Sequence, residues 1–118
     1  MSIAGKELVM NKNTALKKMS PSAVSKMESA CGLVGELLRS LSHPQRLMIM
    51  GHLSLGPKTV SELQDLCGIS QSQISQFLIR MRSEGLVKSD RQGRFQYYSA
   101  ADDRVIELIR VIQKLFCH

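Results

Sequence analysis

Apolar positions along this chain follow helical spacing, change once to a strand pattern, and then return to helical spacing. Val24, Met27, Ala30, Cys31, Val34, Leu37, Leu38 and Leu41 recur at intervals of three and four, which predicts an amphipathic helix of about 20 residues. Ser20-Pro21 gives it a Ser cap followed by Pro at the first helical position. Gly32 and Gly35 either weaken that helix or allow another helix to approach closely. Ser42 is placed to cap a second helix with Pro44 in its first turn. Leu47, Ile49, Met50 and Leu53 form its apolar face, and Gly56-Pro57 its stop.

Thr59-x-x-Glu62 is a capping box that opens a short helix through Leu66, with Val60, Leu63 and Leu66 turned inward. Cys67-Gly68 ends it. A second capping box, Ser70-x-x-Gln73, then opens a helix carrying Ile74, Leu78 and Met81 on its inner face and ending at Gly85. Two capped helices separated by a tight Gly-containing turn are the signature of a helix-turn-helix. Beyond Gly85, Leu86-Val87-Lys88-Ser89 and Phe95-Gln96-Tyr97-Tyr98 have strand composition, and Asp90-Arg91-Gln92-Gly93-Arg94 joins them as a short basic loop. Asp102 or Asp103 caps a last helix with a wide apolar stripe: Val105, Leu108, Ile109, Ile112, Leu115 and Phe116. The expected fold is mainly α with a small β-hairpin, in winged helix-turn-helix order. Residues 1–19 read as a mobile basic tail and 20–118 as one folded domain.

Composition narrows the partners. The 118 residues suit a single core, 43 % are hydrophobic, and Trp is absent, so that core must be mostly aliphatic. No apolar run approaches the roughly 18 residues of a membrane helix. The start of the chain shows no secretory pattern, so the expected location is the cytoplasm, with no membrane partner. The net charge of +6 favours a polyanion. The surplus is concentrated: residues 1–27 hold five Lys against one Glu, and residues 70–98 hold four Arg and one Lys against Glu84 and Asp90. Three widely spaced cysteines, Cys31, Cys67 and Cys117, form no Cys-x-x-Cys. That argues against a disulfide scaffold or zinc finger and for free thiols in a reducing compartment.

The helix from Gln71 to Glu84 carries the functional signal. Opposite its apolar stripe stand Ser72, Gln73, Gln76 and Arg80, with Ser75 beside them and no acidic residue before Glu84. A solvated face usually mixes both signs of charge. Short hydroxyls, amides and Arg instead match base edges and phosphates in a major groove. Ser70 and Gln71 bring the helix N-terminus, whose free N–H groups favour a phosphate. Arg91, Gln92 and Arg94 at the hairpin tip can reach the backbone or the minor groove. The expected partner is double-stranded DNA. No nucleophile–base pair, Gly-rich phosphate loop or ligand cluster points to an enzyme, a metal or another cofactor.

Leu41-Ser42-His43-Pro44-Gln45-Arg46-Leu47, Thr59-Val60-Ser61-Glu62-Leu63, Ser70 through Leu78, Glu84-Gly85-Leu86-Val87 and Gly93-Arg94-x-x-Tyr97-Tyr98 together resemble the ArsR/SmtB family of winged-helix repressors. Phe77 and Leu78 stand where the family has His and Leu, so one DNA contact differs. The resemblance implies a homodimer built from the first and last helices, blocking a promoter at an operator until an inducer releases it. The family's metal sites are not carried over: Lys58, Thr59, Val60 and Ser61 stand where one of them has thiols. Asp102 remains from another, but Arg104, Leu115 and His118 stand at its further ligand positions. His43 reads as a turn residue and His52 as a surface residue. Cys117 is similar to the terminal thiol of the family's thiol-sensing branch, whose second Cys falls at Gly51. Cys31 is then the candidate redox partner of Cys117. The plainer reading makes Cys31 a small buried hydrophobe and Cys117 a frayed terminal thiol, with Cys67 structural. Two alternatives stand beside the inducible repressor: a winged-helix protein-interaction module that no longer binds DNA, and a metal-independent regulator with no sensing by its own residues.

Overall fold

A computed structural model describes residues 19–117, so the expected tail, apart from Met19, lies outside the described residues. The chain divides after Leu38 into two compact units. The described part of the first is helical: α1 runs Pro21–Leu41, and Ser20 Oγ accepts the N–H of Ala23 at 3.2 Å as its cap. Met27, Leu33, Val34 and Leu38 on α1 are exposed.

The second unit contains α2 (Pro44–Leu53), α3 (Val60–Cys67), α4 (Gln71–Ser83), β1 (Val87–Gln92), β2 (Phe95–Ala100) and α5 (Asp103–Phe116). The cap of α2 is His43 and not Ser42. Pro44 occupies the first helical position, and a residue before Pro is pushed into extended backbone, so His43 (φ −136, ψ 124) must be the cap. Its Nδ1 accepts the N–H of Gln45 at 3.1 Å, while Ser42 Oγ donates back to the Arg39 carbonyl at 2.7 Å and closes the last turn of α1. The end of α2 also comes earlier than Gly56-Pro57 suggests. Ser54 is the C-cap and donates to the Gly51 carbonyl at 2.6 Å; Gly56, at φ +140, turns the chain beyond it.

Both capping boxes form. Thr59 Oγ1 accepts the N–H of Glu62 and Glu62 Oε1 accepts that of Thr59, each at 3.1 Å. Leu63 takes the centre of α3's inner face. Leu66, three residues on, sits about 60° round the helix and is exposed instead of inward. Ile74, Leu78 and Met81 of α4 are fully buried with Ile49, Met50, Leu53 and Leu63. Leu86, Val87, Val105 and Ile109 complete the core. α2 packs against α3, α5 and β2, and α4 against α3 and β1. Gly51 faces α5, where a Cβ would meet Gln113 Nε2 at 3.4 Å, an ordinary contact.

The strands pair antiparallel from Val87↔Ala100 to Gln92↔Phe95. Asp90, Arg91 and Gln92 therefore belong to β1, and the loop shrinks to Gly93-Arg94. Gly93 takes φ +65, the positive value that a two-residue hairpin turn needs at its first central position. Once the turn fixes that register, the ladder closes up to it whether or not the side chains are apolar. Of the two expected caps of α5, Asp102 is the one used, accepting the N–H of Arg104 at 2.9 Å.

One buried charge ties the unit together. Arg46 on α2 is only 8 % exposed. Its guanidinium donates to the Ser40 carbonyl at 2.9 Å, to Ser40 Oγ at 3.1 Å and to Glu84 Oε2 at 2.8 Å. Ser40 Oγ donates to the same Glu84 carboxylate. The hydroxyl of Ser40 first, and then Arg46, hold the Glu84 carboxyl below the usual carboxylate range. A depressed folded value means the contribution is present above the unfolded pKa and is lost as pH falls through the folded one. Glu84→Gln should cost about 1–2 kcal/mol at neutral pH, because it leaves a buried guanidinium without its counter-charge while water screens the outer side of the site. Urea unfolding of both proteins between neutral pH and the acid side of the carboxylate range checks this: the gap should close on acidification, and a gap independent of pH would contradict it.

Candidate nucleic-acid interface

The capping box fixes the start of α4. Ser70 Oγ accepts the N–H of Gln73 at 3.2 Å, and Gln73 Oε1 accepts the N–H of Ser70 at 3.4 Å. With Ile74, Leu78 and Met81 buried, helical geometry turns Ser72, Gln73, Gln76 and Arg80 outward, and all four are exposed, as are Ser70 and Gln71. Ser75 is half-buried at the edge. No carboxylate occurs from Ser70 to Ser83.

These side chains are not equally free. The amide oxygen of Gln73 is engaged by the cap and also accepts from Ser70 Oγ at 3.3 Å, which leaves only its NH2 facing out. Among the described residues the side chains of Gln76 and Arg80 make no hydrogen bond. Phe77, the departure from the family pattern, is half-buried and meets the ring of His43 edge-on with centroids 5.0 Å apart. His43 is thus both a helix cap and a brace for α4. His52, expected at the surface, is half-buried.

The hairpin separates residues that adjoin in sequence. Arg91 pairs with Gln96 and Gln92 with Phe95. Cross-strand partners share a face and successive residues alternate, so Arg91 and Gln92 project from opposite faces, with Arg94 in the turn between the strands. Gln92 Nε2 also donates to Asp90 Oδ2 at 3.4 Å. The tip is exposed throughout, with Phe95 beside it.

Two residues of this region escape a reading of the sequence alone. Arg46 and Glu84 look like ordinary surface charges, and only their placement on adjoining elements unites them. Ile79 is skipped by the inner stripe and shares the outer face with Gln76, which a helical projection of α4 would have shown.

The cysteines have distinct settings. All three are free. Cys67 ends α3 half-buried, and burial pushes the pKa of its thiol up. Cys31 lies on α1 in the first unit and is exposed, not a buried hydrophobe. Cys117 is the C-cap of α5 in the second unit, with its N–H on the Gln113 carbonyl at 2.8 Å and its side chain exposed. Asp102, the remaining carboxylate of a family metal position, is committed to its cap and to a bidentate pair with Arg104, whose Nη2 lies 2.7 Å away.

Two capped helices, the second with an exposed polar face, followed directly by a hairpin with a basic tip, define the winged helix-turn-helix class. The profile described as "Bacterial regulatory protein, arsR family" matches residues 43–89. The HTH-type transcriptional regulator YgaV of Escherichia coli is 35 % identical over 95 residues, covering 80 % of this chain and 96 % of that protein. The crystal structure of the transcriptional repressor BigR from Xylella fastidiosa superposes with a TM-score of 0.76 at 32 % identity, over 85 % of this chain and 99 % of that one. The homodimeric winged helix-turn-helix DNA-binding domain of Mb0332 from Mycobacterium bovis, a solution NMR structure, gives a TM-score of 0.63 at 26 % identity, over 83 % and 87 %. The chain belongs to the arsR family of bacterial regulatory proteins.

The cap of α4 is testable apart from any ligand. Ser70→Ala removes the acceptor for the Gln73 N–H and should cost about 1 kcal/mol of stability. An unchanged unfolding midpoint in urea would show that the box contributes nothing.

Proposed function

We propose that this chain is a homodimeric transcriptional repressor that binds an operator sequence-specifically and is released by a thiol-oxidising signal. The observation that carries the DNA reading is the outer face of α4: Ser72, Gln76 and Arg80 stand exposed on a helix whose inner side is locked in the core, with no carboxylate among them. In a major groove Gln76 suits the N6/N7 edge of adenine, Arg80 a guanine or a phosphate, and Ser70, Ser72 and Ser75 either. Gln71 and the capped N-terminus favour a phosphate. Gln73 positions the helix first and reads with what its cap leaves free. Arg91, Gln92 and Arg94 on the wing reach the backbone or the minor groove. Action on an operator places the protein with the chromosome, in the cytoplasm. No helix of the described residues is long and apolar enough to cross a membrane.

A gel shift against duplexes selected from a random library tests this reading. Gln76→Ala should lose about 1–3 kcal/mol of discrimination at fixed salt. Replacing Arg91 and Arg94 together should weaken all duplexes alike and flatten the salt dependence by roughly one unit of slope per contact. Wild-type protein that selects no sequence would leave a protein-interaction module as the better description.

The dimer reading rests on exposed apolar side chains on the first and last helices. α1 carries Met27, Leu33, Val34 and Leu38, and α5 carries Val111, Leu115 and Phe116. Large apolar side chains left exposed on these two helices are what a second subunit would cover, and one similar domain is homodimeric. Leu115→Asp puts a charge where a second subunit would exclude water without touching the core. Sedimentation at micromolar concentration should show a wild-type dimer and a monomeric variant; a wild-type monomer contradicts the assembly.

The signal reading rests on Cys31 and Cys117, both free and exposed. Two thiols form a disulfide by giving two protons and two electrons to a hydroperoxide, whose O–O bond breaks to leave water and an alcohol. A bridge within or between subunits needs Cα atoms within about 7 Å, and it would change the spacing of recognition helices that must match half-sites one DNA turn apart. Peroxide should release DNA from the wild type and not from Cys117→Ser; equal release from both removes Cys117 from the switch.

A further inference from the structure

The outer face of α4 holds one residue that the hydrogen-bonding description leaves out. Ile79 is 68 % exposed in the middle of the helix. It does not serve the core, whose contacts from α4 come from Ile74, Leu78 and Met81. Its neighbours one turn away on the same helix are Ser75, Gln76, Arg82 and Ser83. A single aliphatic side chain encircled by hydroxyls, an amide and a guanidinium is too small a patch for protein association, which uses contiguous apolar areas of a few hundred Å². It also lines, with Gln73, Gln76, Phe77 and Arg80, an open depression along this face.

We propose that Ile79 is a specificity-determining residue that reads the C5 methyl of a thymine beside the base contacted by Gln76. This rests on the reading of α4 as the helix that enters the major groove. There the thymine methyl is the one apolar feature among the donors and acceptors of the base edges, so a lone aliphatic residue amid polar readers has one complementary partner. The spacing agrees: residues three apart on a helix stand about 5–6 Å from each other, and base pairs stack about 3.4 Å apart. Ile79 therefore falls one or two steps from the pair that Gln76 contacts. Removing a methyl from a closed apolar contact should weaken binding about fourfold, the equivalent of ~0.8 kcal/mol.

The test begins with duplexes selected from a random library by the wild-type protein. Each thymine of the selected site is then replaced singly with deoxyuridine, which deletes the methyl and keeps the pairing. Wild type should lose about fourfold at one thymine per half-site, within two steps of the pair that Gln76→Ala ceases to discriminate. Ile79→Ala, which removes only exposed atoms, should bind the thymine and uracil duplexes equally while still preferring the selected site over random DNA. A selected site without thymine at that place, a wild type indifferent to deoxyuridine, or an Ile79→Ala variant with the same loss would each overturn the role of Ile79 and leave α4 as the reading helix. Failure of the wild type to select any sequence would overturn both.

Discussion

The Arg46 guanidinium ties the C-cap of α4 to α2 and to the last turn of α1. The helix is anchored inward by the fully buried Ile74, Leu78 and Met81, whose hydrophobic attraction is itself non-directional. Arg46 adds direction. It reaches from α2 to the carboxylate at the C-cap of α4 and to Ser40 at the end of α1, and charge-assisted bonds of this kind favour one geometry. At the other end the Ser70–Gln73 box closes the first turn, and Phe77 rests edge-on against His43. α4 is therefore fixed at both ends and along one side, and the outer side is left uncommitted. A buried ion pair is weak evidence for added stability. Here it joins the C-cap of α4 to two neighbouring helices by directed bonds.

The same economy explains why the face is graded. Of its three longer side chains Gln73 lies nearest the helix start and is the most constrained, because its amide oxygen completes the cap. Gln76 and Arg80, one and two turns on, have no such duty. Farther out, the Gly93-Arg94 turn sets the register of a hairpin that sends Arg91 and Gln92 to opposite sides. A basic tip in the sequence thus becomes a strand with one residue directed to each side, and its residues cannot all grip one phosphate run.

Much of this was legible in the residue pattern. Caps with a complete local signature, Thr59-x-x-Glu62 and Ser70-x-x-Gln73, appear where expected, because both partners lie within one turn of each other. The inner stripe of α4 is legible for the same reason. The boundaries that moved depended on a neighbour: Pro44 displaces the cap from Ser42 to His43, and the Gly93 turn draws Asp90, Arg91 and Gln92 into β1. What sequence could not supply is contact across long separations. Arg46 and Glu84 are 38 residues apart, and nothing local marks them as partners. Ile79 was legible in principle, yet an aliphatic residue is read by habit as core.

The central claim is that the outer face of α4, held by Arg46, is where DNA is met. Backbone and side-chain amide spectra of the labelled protein, followed through titration with a selected duplex, test it most directly. The account predicts the largest shifts from Ser72 to Arg80, including the Gln76 side-chain amide, with a second set around Gly93 at the hairpin turn. Saturation of binding with the α4 resonances unmoved would contradict it.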